Sequence, residues 1–174
     1  MPATYTLINS NVLTSSQASV TFSAIPATYT DLVLRISGRS DAASTQDSVT
    51  IRFNGNSSSI YSRTQLFGGG TSGTEGSSNS SNIDRILAPY VDGDSATAST
   101  FGSNEIYIPS YLASQNKPVS VFGVSETNAT GTYMGVSAAL FSSTTAISSM
   151  VIAPENGSNW LSGSSFYLYG ISNA

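Results

Sequence analysis

Ser48-Val-Thr-Ile-Arg-Phe53, followed at once by Asn54-Gly55, is the stretch on which the fold turns. Val49, Ile51 and Phe53 fall on every second residue and alternate with Ser48, Thr50 and Arg52. A period of two marks a strand with one face buried and the other wet. Asn-Gly readily takes the two left-handed residues of a tight turn. The spacing predicts a hairpin, with Ile60-Tyr-Ser-Arg-Thr-Gln-Leu66 as the returning strand and residues 56–59 lengthening the loop.

Working outward, Asp31-Leu-Val-Leu-Arg-Ile-Ser37 sends Leu32, Leu34 and Ile36 to one face, with Val33, Arg35 and Ser37 on the other. Further strands are predicted over 5–12, 18–22, 83–87, 101–108, 118–125, 131–140, 147–152 and 165–171. Clusters of Gly, Pro, Asn, Asp and Ser separate most of them. No segment carries a 3.6-residue apolar stripe, and residues 110–115 allow one helical turn at most. About ten short strands imply an all-β fold, a two-sheet antiparallel β-sandwich that is jelly-roll-like. One domain over residues 1–174 is expected, with a possible N-terminal arm (1–17) and a long Gly/Ser surface loop (68–82). Residues 92–100 form a second loop. Pro-Ala-Thr-Tyr-Thr occurs at 2–6 and again at 26–30, and the residues after it diverge, which fits two similar turn-to-strand junctions better than a duplication.

Composition narrows the chemistry. The 174 residues include no histidine, no cysteine and a single lysine, Lys117. Histidine–serine and histidine–cysteine catalysis, disulfides and the usual zinc and haem ligands therefore drop out. No cofactor is expected. Charged residues are 9% of the chain against roughly a quarter in an ordinary soluble domain, and Ser and Thr supply about three residues in ten. The net charge is −4, and Arg35, Arg39, Arg52, Arg63, Arg85 and Lys117 form no run. Nucleic-acid binding needs clustered cations, so no nucleic-acid partner is expected. No apolar run reaches membrane-spanning length, the N-terminus lacks the pattern of a signal peptide, and no membrane partner is expected. Four Asn-X-Ser/Thr sequons, at Asn56, Asn79, Asn128 and Asn156, are what chance produces in so hydroxyl-rich a chain.

Carboxylates are the remaining route to catalysis. Glycoside hydrolysis can run on two of them facing across a cleft. Asp92 and Asp94 are the close pair, and on a turn they solvate a loop more naturally than they form such a site; Glu105, Glu126 and Glu155 sit at strand edges or ends. No enzymatic activity is expected.

The aromatic residues point to contact surfaces instead. In Ser165-Phe-Tyr-Leu-Tyr-Gly-Ile171, Phe166 and Leu168 face one side, and Tyr167, Tyr169 and Ile171 the other. Gly131-Thr-Tyr-Met-Gly-Val-Ser-Ala-Ala-Leu-Phe141 is two-sided in the same way. Such strands are either buried on both faces within the chain or turn one face to another subunit. Candidate interface residues are Tyr5, Phe67, Tyr90, Tyr111, Trp160, Tyr167 and Tyr169, whose rings suit a protein partner or a sugar.

Four landmarks, taken in order, carry a resemblance. They are Ser23-Ala-Ile-Pro-Ala-Thr-Tyr-Thr-Asp-Leu-Val-Leu-Arg-Ile-Ser-Gly-Arg39; Arg52-Phe-Asn-Gly55 with Tyr61-Ser62; Ala138-Ala-Leu-Phe141 with Thr145-Ala-Ile-Ser-Ser149; and Gly163-Ser-Ser-Phe-Tyr-Leu-Tyr-Gly-Ile171. The chain resembles a family of small virion proteins of tailed bacteriophages over about residues 20–171, without correspondence between residues 68 and 100. Ile-Pro-x-Thr-Tyr and Leu-Tyr-Gly-Ile are its most specific elements. The resemblance implies a non-enzymatic structural protein of the virion, on head or tail. On the head it implies a decoration (cement) protein on the capsid exterior, a homo-oligomer, expected to be a trimer, whose partner is the major capsid protein. The alternative is a tail fibre or receptor-binding module that recognises host surface glycans.

Overall fold

The computed structural model describes residues 4–70, 75–128 and 131–172. These residues form twelve strands: β1 (Tyr5–Val12), β2 (Val20–Phe22), β3 (Asp31–Gly38), β4 (Gln46–Phe53), β5 (Tyr61–Gly69), β6 (Gly76–Ile83), β7 (Ile86–Asp92), β8 (Gly102–Ile108), β9 (Lys117–Glu126), β10 (Thr132–Phe141), β11 (Met150–Pro154) and β12 (Ser165–Ile171). An eight-stranded sheet runs β1-β12-β3-β8-β9-β10-β5-β6, and a four-stranded sheet runs β2-β11-β4-β7. Every neighbouring pair in both sheets is antiparallel. The all-β, two-sheet expectation is met, with twelve strands where about ten were expected. Among the described residues no helix is long and apolar enough to cross a membrane.

The period-two stretches supply the core between the sheets. Leu32, Leu34 and Ile36 of β3 face Val49, Ile51 and Phe53 of β4 across it, all buried. The rings of Phe53 and Phe141 lie 5.4 Å apart, and that of Tyr61 stacks on Phe141 at 5.0 Å, tying the sheets together at one end. β7 approaches β9 so closely that a Cβ on Gly123 would stand 1.7 Å from the Pro89 carbonyl oxygen. Only glycine admits that approach.

Four expectations need correction. Asn54-Gly55 does form a tight turn, with φ of 53° and 65° and the Asn56 N–H bonded to the Phe53 carbonyl at 2.9 Å. It does not close a hairpin, because β4 belongs to the small sheet and β5 to the large one. The Asn54 side chain reaches away to the segment before β11, accepting from the Ser148 N–H at 2.8 Å and donating to the Ala146 carbonyl at 2.8 Å. The Gly/Ser stretch 68–82 is not a loop throughout: 76–82 lie in β6, paired with β5, and residues 71–74 fall outside the described residues. The strand expected over 83–87 is split between the end of β6 and the start of β7. Finally, the described part of the expected arm 1–17 lies on the sandwich. β1 pairs with β12 along its length, and the backbone N–H groups of Leu13 and Gln17 bond to Ser164 and Trp160 carbonyls at 2.9 and 3.0 Å.

Candidate interaction face

The two outward faces of the sandwich differ in chemistry. On the small sheet, Arg52, Asp84, Arg85 and Glu155 form a linked ionic network. Arg85 meets Glu155 at 2.8 Å, and this hydrogen bond holds its guanidinium more basic than usual. A hydrogen bond from Arg52 holds the Asp84 carboxyl below the usual aspartate range. This network shares the face with half-buried Leu87, Val151 and Ala153.

The large sheet presents a different face. One row across it, read from strand register, is Ser77-Leu66-Val136-Phe122-Glu105-Arg35-Tyr167-Ser10. The row beside it brings Met134 next to Val124, and the row on the other side brings Tyr169 between Val33 and Leu7. Leu66, Phe122, Met134 and Val136 are 48–60% exposed and adjoin one another on β5, β10 and β9. Tyr5, Leu7 and Val12, 50–58% exposed, form a second apolar area on β1. A single exposed ion pair, Arg35–Glu105, lies between the two areas. Two shallow apolar grooves flank Val136 and Met134: one of about 450 Å³ beside Pro109, Pro118 and Ala138, the other of about 420 Å³ beside Phe122, Val124 and Gly70. Adjoining exposed apolar side chains of this kind make the face a candidate for interaction.

The expected interface residues divide. Tyr5, Tyr167 and Tyr169 belong to this face, the first exposed and the others half-buried. Phe67 and Tyr90 are half-buried elsewhere: Phe67 alternates with outward Leu66, and its ring lies where a side chain on Gly76 would stand. The Tyr90 ring is 5.8 Å from that of Tyr133, and burial pushes its phenol up. Tyr111 and Trp160 are corrected outright, since both are fully buried. The Tyr111 hydroxyl donates to the Pro26 carbonyl; the Trp160 indole N–H donates to the Ile152 carbonyl at 3.2 Å, and its ring packs edge-on against Phe166 at 5.3 Å. Leu66, Phe122, Met134 and Val136 were not singled out, although the two-sided apolar pattern of 131–141 pointed to the last two.

The five carboxylates weighed for catalysis each have a different partner. Asp92 is buried and accepts from Ser125 at 2.5 Å, while Asp94 is exposed, 4.0 Å from Arg39. Glu105 pairs with Arg35, Glu126 accepts from Thr132, and Glu155 pairs with Arg85. Asp31 accepts from the Tyr107 hydroxyl at 2.8 Å, which raises that phenol above its ordinary range. Buried Arg39 donates to the carbonyls of Asp94, Ala96 and Thr97 at 2.8–3.0 Å, so the chain itself organises the 92–100 loop. Among the described residues no cluster of three or more acids is placed to hold a metal ion.

No family model matches the chain, and no curated protein matches it. Among solved structures it is similar to an exo-inulinase from Aspergillus awamori, at 14% identity and a TM-score of 0.40, covering 97% of this chain and 29% of that one. The chain spans less than a third of that enzyme's length, and a likeness this slight carries no argument.

Proposed function

We propose that this chain is a structural protein of a tailed-phage particle. It is a capsid decoration (cement) protein that assembles, as a trimer, over capsomer junctions and binds the major capsid protein through the outer face of its large sheet. The observation that carries the reading is the contrast between the two outward faces. The small sheet carries a network of ion pairs, whereas the large sheet leaves adjoining Leu66, Phe122, Met134 and Val136 half-exposed. Burying such side chains against a neighbour is worth about 1.5–3 kcal/mol each before association costs. That Asp92, Asp94, Glu105, Glu126 and Glu155 are each held by a different partner supports a role without catalysis.

Strand order supports a jelly roll, a fold frequent in capsid proteins. Such a fold numbers its eight strands 1-8-3-6 in one sheet and 2-7-4-5 in the other. The small sheet matches the first order as β2-β11-β4-β7. The large sheet matches the second if the β8-β9-β10 meander stands in for the seventh strand, with β1 and β12 added at one edge.

Virion imaging with densitometry of virion proteins tests the assignment. A cement protein lies in the head lattice at high copy number, and particles lacking it lose heat resistance while adsorbing normally. Low-copy density confined to the tail rejects it. The glycan-binding tail reading has one observation in its favour, a groove of about 340 Å³ that sets Arg63, Thr64, Asn79 and Ser80 beside Ala138 and Leu140. Binding of host polysaccharide by the isolated protein would favour that reading.

A further inference from the structure

The large sheet has two free edges. β1 and β6 end its order, and among the described residues neither has a second strand neighbour. Both are eight residues long, and neither contains Asp, Glu, Lys, Arg or Pro. Natural edge strands are ordinarily blunted by charge, proline or shortness; within these two strands the blunting is one register irregularity in each pairing.

Strand direction adds a geometric condition. All neighbours in the sheet are antiparallel and the strands number eight, so β1 and β6 run in opposite senses. A second copy displaced along the sheet therefore sets its β1 antiparallel against β6, repeating the hydrogen-bond pattern of the interior. An odd number of strands would have made that contact parallel.

Side chains favour the same contact. The outward residues of β1 include Tyr5, Leu7 and Val12, whereas β6 carries only small or amide side chains beside Leu66, such as Ser77 and Asn79. A β1 strand docked on β6 lays its large apolar groups over small ones and one strand away from Leu66. The two apolar areas, kept apart within one chain by Arg35–Glu105, then join into one band. Two β1 strands paired about a two-fold axis would leave the Leu66–Val136–Phe122 area outside the contact.

We infer that the chain assembles with itself head to tail, β1 of one copy pairing antiparallel with β6 of the next to continue the large sheet across the subunit boundary. The inference deepens the oligomer reading above and rests on it. Such a heterologous contact closes into a ring when the rotation per copy allows, and otherwise runs on as an open fibre.

The chain has no cysteine, so single-cysteine variants report cleanly. Leu7→Cys and Asn79→Cys place thiols on exposed outward positions of the two edges. A short bismaleimide should join chains when the two purified variants are mixed and should join neither variant to itself. The Leu7→Cys/Asn79→Cys double variant should give a band ladder ending at a closed ring. Self-conjugation of Leu7→Cys, or no conjugate from the mixture, overturns the inference. In unsubstituted protein, amide exchange in β1 and β6 should slow as concentration rises, and exchange independent of concentration overturns it too. Conjugates from a protein that imaging places on the tail would remove the head assignment alone. Head-lattice density without conjugates would remove the edge pairing alone.

Discussion

Gly170 shows why two short motifs far apart in the chain belong together. A Cβ there would lie 2.2 Å from Cγ of Tyr29, so the ring of Ile-Pro-x-Thr-Tyr seats on the bare backbone of Leu-Tyr-Gly-Ile. The adjoining Thr30 N–H bonds to the Ile171 carbonyl at 2.7 Å. Gly170→Ala should cost about 1–3 kcal/mol by overpacking, seen as a lower midpoint in denaturant melts with an unchanged slope. An unaltered midpoint would mean that Tyr29 moves aside freely. Trp160 and Tyr111 show the limit of reading at this scale. A large ring with one polar atom suits a core and an interface alike, and what decided was whether a carbonyl, of Ile152 or Pro26, stood ready inside to accept its hydrogen bond.

At the scale of elements, the segment between β11 and β12 is held by two aspartates from elsewhere in the chain. Asp47 accepts from the N–H groups of Asn156 and Gly157 at 3.0 Å each, and Asp41 from those of Ser158 and Asn159 at 2.6 and 2.9 Å. Burial pushes the Asp41 carboxyl up, but the bonds from Asn159 and Ser158 outweigh it and leave the group below its ordinary 3.8. With the folded value below the unfolded one, the stabilisation is complete above the ordinary value and is lost as pH falls through the folded one. Urea midpoints should therefore carry the full Asp41 contribution from neutral pH down to the ordinary aspartate value of 3.8 and lose it below that. Asp41→Asn should cost about 1 kcal/mol at neutral pH and flatten that acid slope. A slope identical to the parent's would assign the acid loss to other carboxylates. Strand recognition at this scale follows apolar period: β12 and β3 were legible nearly to the residue, while Gly76-Ser-Ser-Asn-Ser-Ser-Asn-Ile83 has no such period and is a strand because β5 offers it an edge.

At the scale of the whole molecule, the large sheet has eight strands to the small sheet's four, and its outward face carries exposed Leu66, Phe122, Met134 and Val136. Val136→Asp places a charge amid Leu66 and Phe122 on that face without touching the core. On the decoration role proposed above, the expected outcome is a protein with the parent's thermal midpoint that fails to bind heads lacking the native copy, measured by co-sedimentation. Retained binding at parental affinity would move the capsid contact to another surface.

Alternation of apolar and polar residues, the absence of histidine and cysteine, and the scarcity of charge were enough by themselves to specify an all-β chain without the commonest catalytic side chains, because these are properties of composition and local period. The partner of each strand, the burial of Trp160 and Tyr111, and the outward position of Leu66 and Phe122 were decided only in three dimensions. Asn54-Gly55 bends the backbone wherever it stands, but whether the chain beyond it returns to its own sheet or crosses to the other depends on which apolar face lies open to receive it.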